Sequence, residues 1–426
     1  MTPTDLPLGT NPSRQRRSDA AEPSQLANDA SASTASQSGK LQGKGMAANT
    51  ISLLLGHPDP ATLLPSELRN AMQQVLSSPQ SSTALQYAPE QGTHSLINVL
   101  VEKINREQGL ALQSGNLMVV AGSTHAVDML ARLYARPGGV VLVEAPTYVD
   151  AIHIFRDHQL ELRSIPMDEE GLITRELEEQ VARLHSSGTF PRILYTIPNF
   201  HNPTGITLSE ARRLEMIRLA HHYDFLIVED DVYRDLSFEG TVPASFYALA
   251  NGKQVVSIGS FSKTLAPGLR LGWMFGSEDA IQRCINCGTT QMGGGANPLA
   301  AHIVAEYCRN GHWEKHILHL RSLYKMRRDV ALSALDQYMP SDVGWTHPAG
   351  GFFIWLRLPK SVFAQDVKRL ALQQGVSLAA GEGFFVNPSE GEHHLRLAYS
   401  CAAPNDIATG IRILAQVIQR ARRVEQ

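Results

Sequence analysis

The sequence has little cysteine: four residues in 426, at positions 284, 287, 308 and 401. That is too few for a disulfide-stapled scaffold. It holds no apolar run near the roughly 18–20 residues of a spanning helix. Its N-terminus lacks the apolar core of a secretory signal. Net charge is also scarce, since 38 basic against 41 acidic residues leave a formal −3. No overall field therefore draws the chain onto nucleic acid or an anionic membrane. These absences exclude membrane-spanning, collagen-like and disulfide-framework classes. They predict a globular, cytoplasmic protein with reduced thiols, no membrane partner and no nucleic-acid partner.

Aromatic residues are missing from the start of the chain, and the first is Tyr87. Residues 1–48 are rich in Ser, Ala, Gln, Asn, Thr and Pro, so they cannot bury enough apolar surface to offset ordering. They read as a disordered low-complexity tail. The cluster of Arg14, Arg16 and Arg17 could suggest a transit peptide or a nucleic-acid arm, but Asp5, Asp19, Glu22 and Asp29 argue against the first and three arginines support the second weakly, so a solvated tail is the reading.

The remainder has the content of a large core, with 43% of the whole chain hydrophobic. Leu68, Met72, Val75 and Leu76 recur at helical spacing after a plausible helix start at 65–67. A helix after Gly122 carries Val127, Leu130, Leu133 and Tyr134, and another runs over 212–222. Short apolar strands are predicted at 140–143, 192–198, 225–229, 254–258 and 269–275. Strands separated by helices imply an α/β fold, a mostly parallel sheet flanked by helices. Ligands in such sheets sit at the carboxyl ends of the strands. A long helix over 312–339, then strands at 352–356 and 394–399 between further helices, predict a smaller C-terminal α/β domain. The expected division is a tail over 1–48, an N-terminal segment with a large domain over 49–325, and a small domain over 326–426.

The densest cluster of chemistry is residues 259–272, G-S-F-S-K-T-L-A-P-G-L-R-L-G. Lys263 follows a buried strand, with hydroxyls at Ser260 and Ser262 and a guanidinium at Arg270. Hydroxyls plus arginine make an anion site. A poorly solvated lysine beside them can act as an amine nucleophile. Pyridoxal phosphate (PLP) needs that combination, although a surface turn with a solvated lysine has the same residues. Residues 229–233, E-D-D-V-Y, end an apolar strand and could face a pyridinium nitrogen or simply form an acidic turn. Residues 202–205, N-P-T-G, are a turn. Residues 121–125, A-G-S-T-H, open a helix whose free N–H groups favour an anion. His125 reads as a helix-surface residue.

In chain order these motifs resemble the fold-type I PLP-dependent enzymes of the class I/II aminotransferase family. The likeness is greatest to the α-aminoadipate and kynurenine branch. It rests on L-Q-Y-A-P-E-Q-G at 85–92, G-S-T-H-A-V-D at 122–128 and E-A-P-T-Y at 144–148. Further on come P-N-F-H-N-P-T-G at 198–205, E-D-D-V-Y at 229–233 and G-S-F-S-K at 259–263. Last are P-A-G-G at 348–351 and L-R-L-A-Y-S at 395–400. The match runs from about 50 to 420. The resemblance implies that Lys263 bonds PLP covalently and serves as the base. Asp230 would pair with the ring nitrogen, Asn202 and Tyr233 with the phenolic oxygen, and Tyr148 would stack on the ring. Ser123, Thr124, Ser260, Ser262 and Arg270 would hold the phosphate. Arg396 would clamp the substrate α-carboxylate, with Asn202 beside it. Tyr87 would reach the phosphate of a neighbouring subunit, which implies a homodimer with shared active sites.

The implied reaction moves an α-amino group from an L-amino acid to a 2-oxo acid, 2-oxoglutarate being the expected acceptor, in two half-reactions. β-Elimination or another reaction at Cα on the same scaffold is the alternative. A PLP-sensing regulator is disfavoured because residues 1–48 carry no helix-turn-helix pattern, and an inactive relative because every cofactor position is filled. Two departures leave the donor unassigned: the glycine-rich stretch 38–47 before I-S-L-L-L-G at 51–56, and Q-M-G-G-G-A-N at 291–297. The Cys284/Cys287 pair is expected to pack a helix, with no metal bound. His221-His222 and His393-His394 are expected at the surface, and 352–355 in a core strand.

Overall fold

A computed structural model describes residues 50–63, 65–79 and 81–422. The tail predicted over 1–48 lies outside the described residues. Strand β1 (Ile51–Ser52) begins the ordered chain. The central sheet is built from β2 (Leu117–Val120), β3 (Val140–Ala145), β4 (Glu161–Asp168), β5 (Gly171–Leu172), β6 (Ile193–Thr196), β7 (Leu226–Asp230), β8 (Val255–Ser260) and β9 (Gly272–Phe275). Their order across the sheet is β2-β9-β8-β7-β6-β3-β4-β5. The run β8-β7-β6-β3-β4 is parallel, while β9 lies antiparallel to both β8 and β2.

Both faces of this sheet are covered, which is why its strands are nearly all apolar. The two-residue alternation of side chains divides them between two cores. Val141, Val143, Tyr195 and Val228 pack on the side of helices Ser123–Tyr134 and Val149–Asp157. Leu142, Leu194 and Ile227 pack on the side of helices His94–Gln108, Glu210–Tyr223 and Pro298–Arg309.

A 27-residue helix, His312–Tyr338, leads to the second sheet. Here β10 (Gly344–Trp345), β11 (Phe353–Arg357), β12 (Val376–Ser377), β13 (Ala379–Ala380) and β14 (His394–Ala398) come next in the chain. Four of them form an antiparallel sheet in the order β10-β11-β14-β13, and β12 pairs instead with β1. Helices Ala364–Gln373 and Pro404–Ala421 pack with the long helix around this sheet.

Three local expectations are corrected. The strand predicted over 269–275 starts only at Gly272. Pro267–Leu269 form a 3-10 turn, and Arg270 is left-handed at φ 51°, a conformation no strand contains. His125, expected on the helix surface, is half-buried, and its Nδ1 accepts from Ala121 N at 3.2 Å and closes the turn before the helix. His394 is half-buried and stacks on Trp355, with ring centroids 5.3 Å apart and planes 11° from parallel.

Candidate active site

The strand order explains where the motifs meet. The chain winds from β3 to β4 on one side and continues through β6, β7 and β8 on the other. The reversal between β3 and β6 opens a crevice at their carboxyl ends. Tyr148 follows β3, Asn202 follows β6, Asp230 ends β7, and Ser260 ends β8 just before Lys263. β2 runs in the same direction as β8, so Ser123 emerges at this edge as well. Arg270 precedes antiparallel β9, which brings it to the same edge.

The acidic motif sorts itself by partner. Glu229 is fully buried and accepts from Phe246 N at 2.9 Å, with Ser257 Oγ also bonded to it. Asp231 accepts from Asn199 Nδ2 at 2.5 Å and pairs with Arg234 at 3.0 Å. Asp230 differs from both. Its Oδ2 accepts from Tyr195 Oη at 2.6 Å, while its Oδ1 is buried with no partner among the described residues. Burial pushes the Asp230 carboxyl up to about 6, against the pull of the Tyr195 hydrogen bond and of Lys263. An unpaired carboxylate oxygen in a dry site calls for a donor.

Lys263 is half-buried, and its Nζ donates to Gly56 O at 3.4 Å. It stands 5.9 Å from the Tyr233 ring centroid. Burial lowers its pKa to about 8. Asp230 pulls it upward, and the cations Arg396 and Arg270 push it down. A tenth or so of such an amine is neutral at pH 7, enough for a nucleophile or base. Tyr148 donates to Asp150 Oδ2 at 2.5 Å. Burial and that carboxylate hold its phenol well above the usual range.

Arg396 projects from β14 into the crevice and is 9% exposed. Its Nη1 donates to Asn202 Oδ1 at 3.0 Å and its Nη2 to Leu54 O at 2.8 Å. The guanidinium lies 4.4 Å from the Phe353 ring centroid and 4.8 Å from that of Phe384. Its Nε is buried without a partner among the described residues, so donors remain for a carboxylate. The turn bearing Asn202 can reach this sheet because Gly205 has no side chain. A Cβ there would stand 2.6 Å from Phe353 O. Beneath the turn, buried Glu144 bonds Thr196 Oγ1 at 2.6 Å and Ile197 N at 3.0 Å, tying β3 to β6.

The segment over 54–59 closes one wall. Ser400 Oγ and Cys401 Sγ donate to His57 O at 2.7 and 2.9 Å, and Asp59 pairs with Arg327. Its backbone carbonyls at Leu54 and Gly56 are the ones that meet Arg396 and Lys263.

An anion cradle lies at the other end. Helix Ser123–Tyr134 starts at Gly122, whose φ of 89° suits glycine. A Cβ there would come 2.8 Å from Arg270 Nη2, so the arginine sits directly against the helix N-terminus. Ser123 and Ser262 are half-buried, Ser260 is buried, and Thr124 and Arg270 are exposed. Tyr87 does not join this cluster. Its ring lies over Gly293 and is 83% exposed. Leu85 and Met292 nearby are 69% and 86% exposed.

Tyr195 and Asp150 were missed in the sequence. A tyrosine inside the apolar strand 193–196 was the available signal, because a buried phenol needs a partner.

The Aminotransferase class I and II family pattern matches residues 50–414. Aromatic-amino-acid aminotransferase 1 of Thermococcus litoralis is 34% identical over 372 residues, which is 87% of this chain and 88% of that one. The kynurenine aminotransferase of Pyrococcus horikoshii, solved in complex with PMP, superposes with a TM-score of 0.84. It is 34% identical, over 88% of this chain and 91% of its own. The α-aminoadipate aminotransferase of Thermus thermophilus, complexed with N-(5'-phosphopyridoxyl)-L-leucine, gives a TM-score of 0.80. It is 30% identical, over 89% and 94%.

Proposed function

The chain belongs to the class I and II aminotransferases and is a PLP-dependent transaminase; from that premise we propose which residues carry the reaction and which substrates they take. The site fits the cofactor. Among the described residues Asp230 Oδ1 is an orphaned buried acceptor suited to a protonated ring nitrogen, and the helix start at Ser123 leaves N–H groups beside Arg270 for a phosphate. When bound, PLP supplies an aldehyde that exchanges amines and a ring that accepts electrons.

Lys263 would hold the cofactor covalently, and once the substrate amine takes its place the freed Nζ would move the proton of the substrate Cα. Asp230 keeps the ring nitrogen protonated. Tyr233 and Asn202 bond the phenolic oxygen, and Tyr148 covers the ring. Ser123, Thr124, Ser260, Ser262 and Arg270 hold the phosphate. Arg396 takes the α-carboxylate of the incoming amino acid with Asn202 beside it, which orients Cα toward Lys263. The observation that carries this reading is the convergence of a lysine of lowered pKa, a carboxylate with one free oxygen and a buried arginine at one sheet edge.

The acceptor is 2-oxoglutarate, and the donor is an L-amino acid. The assembly is a homodimer in which Tyr87 serves the partner's phosphate site, supported by its exposure and that of Leu85, Met292 and Arg270. The catalytic body divides into a large part to 325 and a small part from 326. No helix among the described residues is long and apolar enough to cross a membrane, the four thiols are free, and the cytoplasm is the compartment. The test is a panel of aromatic, aminoadipate and kynurenine donors with 2-oxoglutarate, read as glutamate and oxo-acid formed. Glutamate should appear with at least one donor. Turnover with other 2-oxo acids but never with 2-oxoglutarate would overturn the acceptor.

A further inference from the structure

Tyr195 is fully buried at the centre of the sheet, on β6 between Val143 of β3 and Val228 of β7. Its ring is held edge-on by Phe155, with centroids 5.7 Å apart at 73°. Its hydroxyl meets Asp230 Oδ2 at 2.6 Å, the length of a charge-assisted O–H···O⁻ bond. The opposite oxygen, Oδ1, is equally buried and has no partner among the described residues.

We propose that Tyr195 is a positioning residue for the cofactor's ring nitrogen: by occupying Oδ2 of Asp230 it fixes the carboxylate plane, keeps the group ionised and leaves Oδ1 alone to accept from the ring N–H. The inference rests on the assignment of Asp230 to that nitrogen. A carboxylate in a dry site otherwise drifts toward its neutral form. The other groups acting on Asp230 oppose one another: Asp231 and Glu144 favour protonation, and Lys263 favours ionisation. Tyr148 and Tyr233 lie within electrostatic reach as neutral phenols, their own pKa values raised by burial. Tyr195 is itself pushed far above the usual phenol range by burial and by Asp230. It therefore remains the donor throughout the working pH. Without its hydroxyl Oδ2 would be bare, the carboxylate more basic, and the shared proton drawn from the ring nitrogen toward Oδ1.

The experiment uses holoenzyme carrying PLP labelled with 15N in the ring. In Tyr195→Phe the 15N resonance should move toward that of unprotonated pyridine. The kcat should fall about 10- to 100-fold, the scale of one hydrogen bond to a charged group, with KM within about twofold. In an Asp230→Asn background the same replacement should change kcat less than about twofold, because the carboxylate it acts through is gone. A fluorotyrosine at 195, a stronger donor of nearly the same shape, should move the resonance the opposite way. It also serves if Tyr195→Phe fails to fold. An unmoved resonance in both variants, or equal losses in both backgrounds, overturns the role of Tyr195. If Asp230→Asn alone leaves resonance and rate unchanged, the fault lies in the Asp230 assignment instead.

Discussion

The carboxyl edge of the central sheet and the surface around Tyr87 are built in opposite ways. At the sheet edge Asp230, Asn202, Tyr233, Ser260 and Arg396 are each at most 9% exposed, with Tyr195 bonded to Asp230 and Arg396 to Asn202. Around Tyr87 three large apolar side chains, Leu85, Tyr87 and Met292, are 69%, 83% and 86% exposed. One region has its groups desolvated and oriented already. The other presents apolar surface that nothing among the described residues covers. Exposed apolar side chains grouped in this way suit the contact surface of the proposed dimer. The Lys263 end of the site is thus already buried and oriented, and the proposed dimer would set Tyr87 against a second copy's phosphate cradle.

The contrast can be broken most sharply at Lys263. Lys263→Ala should abolish turnover and the visible absorbance of lysine-bound cofactor. Borohydride reduction of the wild type and then peptide mapping should place the cofactor on Lys263, and recovery on another lysine would reassign the site. Asp230→Ala should retain PLP on the phosphate cradle yet lose about a thousandfold in kcat, roughly 4 kcal/mol. Near-normal turnover would return the role to another acid, although Asp231 and Glu229 already have their oxygens engaged.

Effects at the open region should be smaller and should cross between subunits. Tyr87→Phe should weaken PLP binding by about 1.5–3 kcal/mol, one hydrogen bond to a charged acceptor, measured by cofactor titration. Mixing inactive Tyr87→Ala and Lys263→Ala chains should restore up to half of a normal dimer's activity. In such a hybrid one site carries both defects and the other neither. A mixture that stays inactive after exchange is shown by mass would put Tyr87 to work within its own chain.

The mildest test is pH. Lys263 has its pKa lowered to about 8, so its neutral, aldehyde-capturing fraction climbs from about a tenth at pH 7 to about nine tenths at pH 9. Cofactor capture by the protein stripped of PLP should accelerate about tenfold over that range, monitored as absorbance. Below neutrality it should slow further as Asp230 protonates near pH 6. A flat profile from pH 7 to 9 would contradict the lowered lysine.

Most strands and the loops after them were legible because a strand buried on both faces is a short apolar run, and its end delivers the next few residues to one edge. The 269–275 stretch misled because Leu269, Arg270 and Leu271 imitate alternation, while Pro267 and the left-handed Arg270 hold a turn. His394 was expected at the surface, and only the crossing of β14 beside β11 put Trp355 over it. The bond that His125 accepts was not legible because the N–H belongs to a turn whose shape depends on Gly122.

Chemistry held in short segments was settled before folding: a lysine among hydroxyls, three acids after an apolar strand, a glycine that frees a helix start. Such groups are a few residues apart, and chain connectivity alone keeps them together. Which acid keeps a free oxygen was settled by folding, because the hydroxyl that takes the other oxygen of Asp230 comes from a strand 35 residues earlier. Arg396 and Asn202 are 194 residues apart and meet only because the small sheet closes over the carboxyl edge of the large one. Desolvation acts the same way. The lysine's lowered pKa and the carboxylate's raised one come from burial that no segment has alone, and only the packed whole can remove that water.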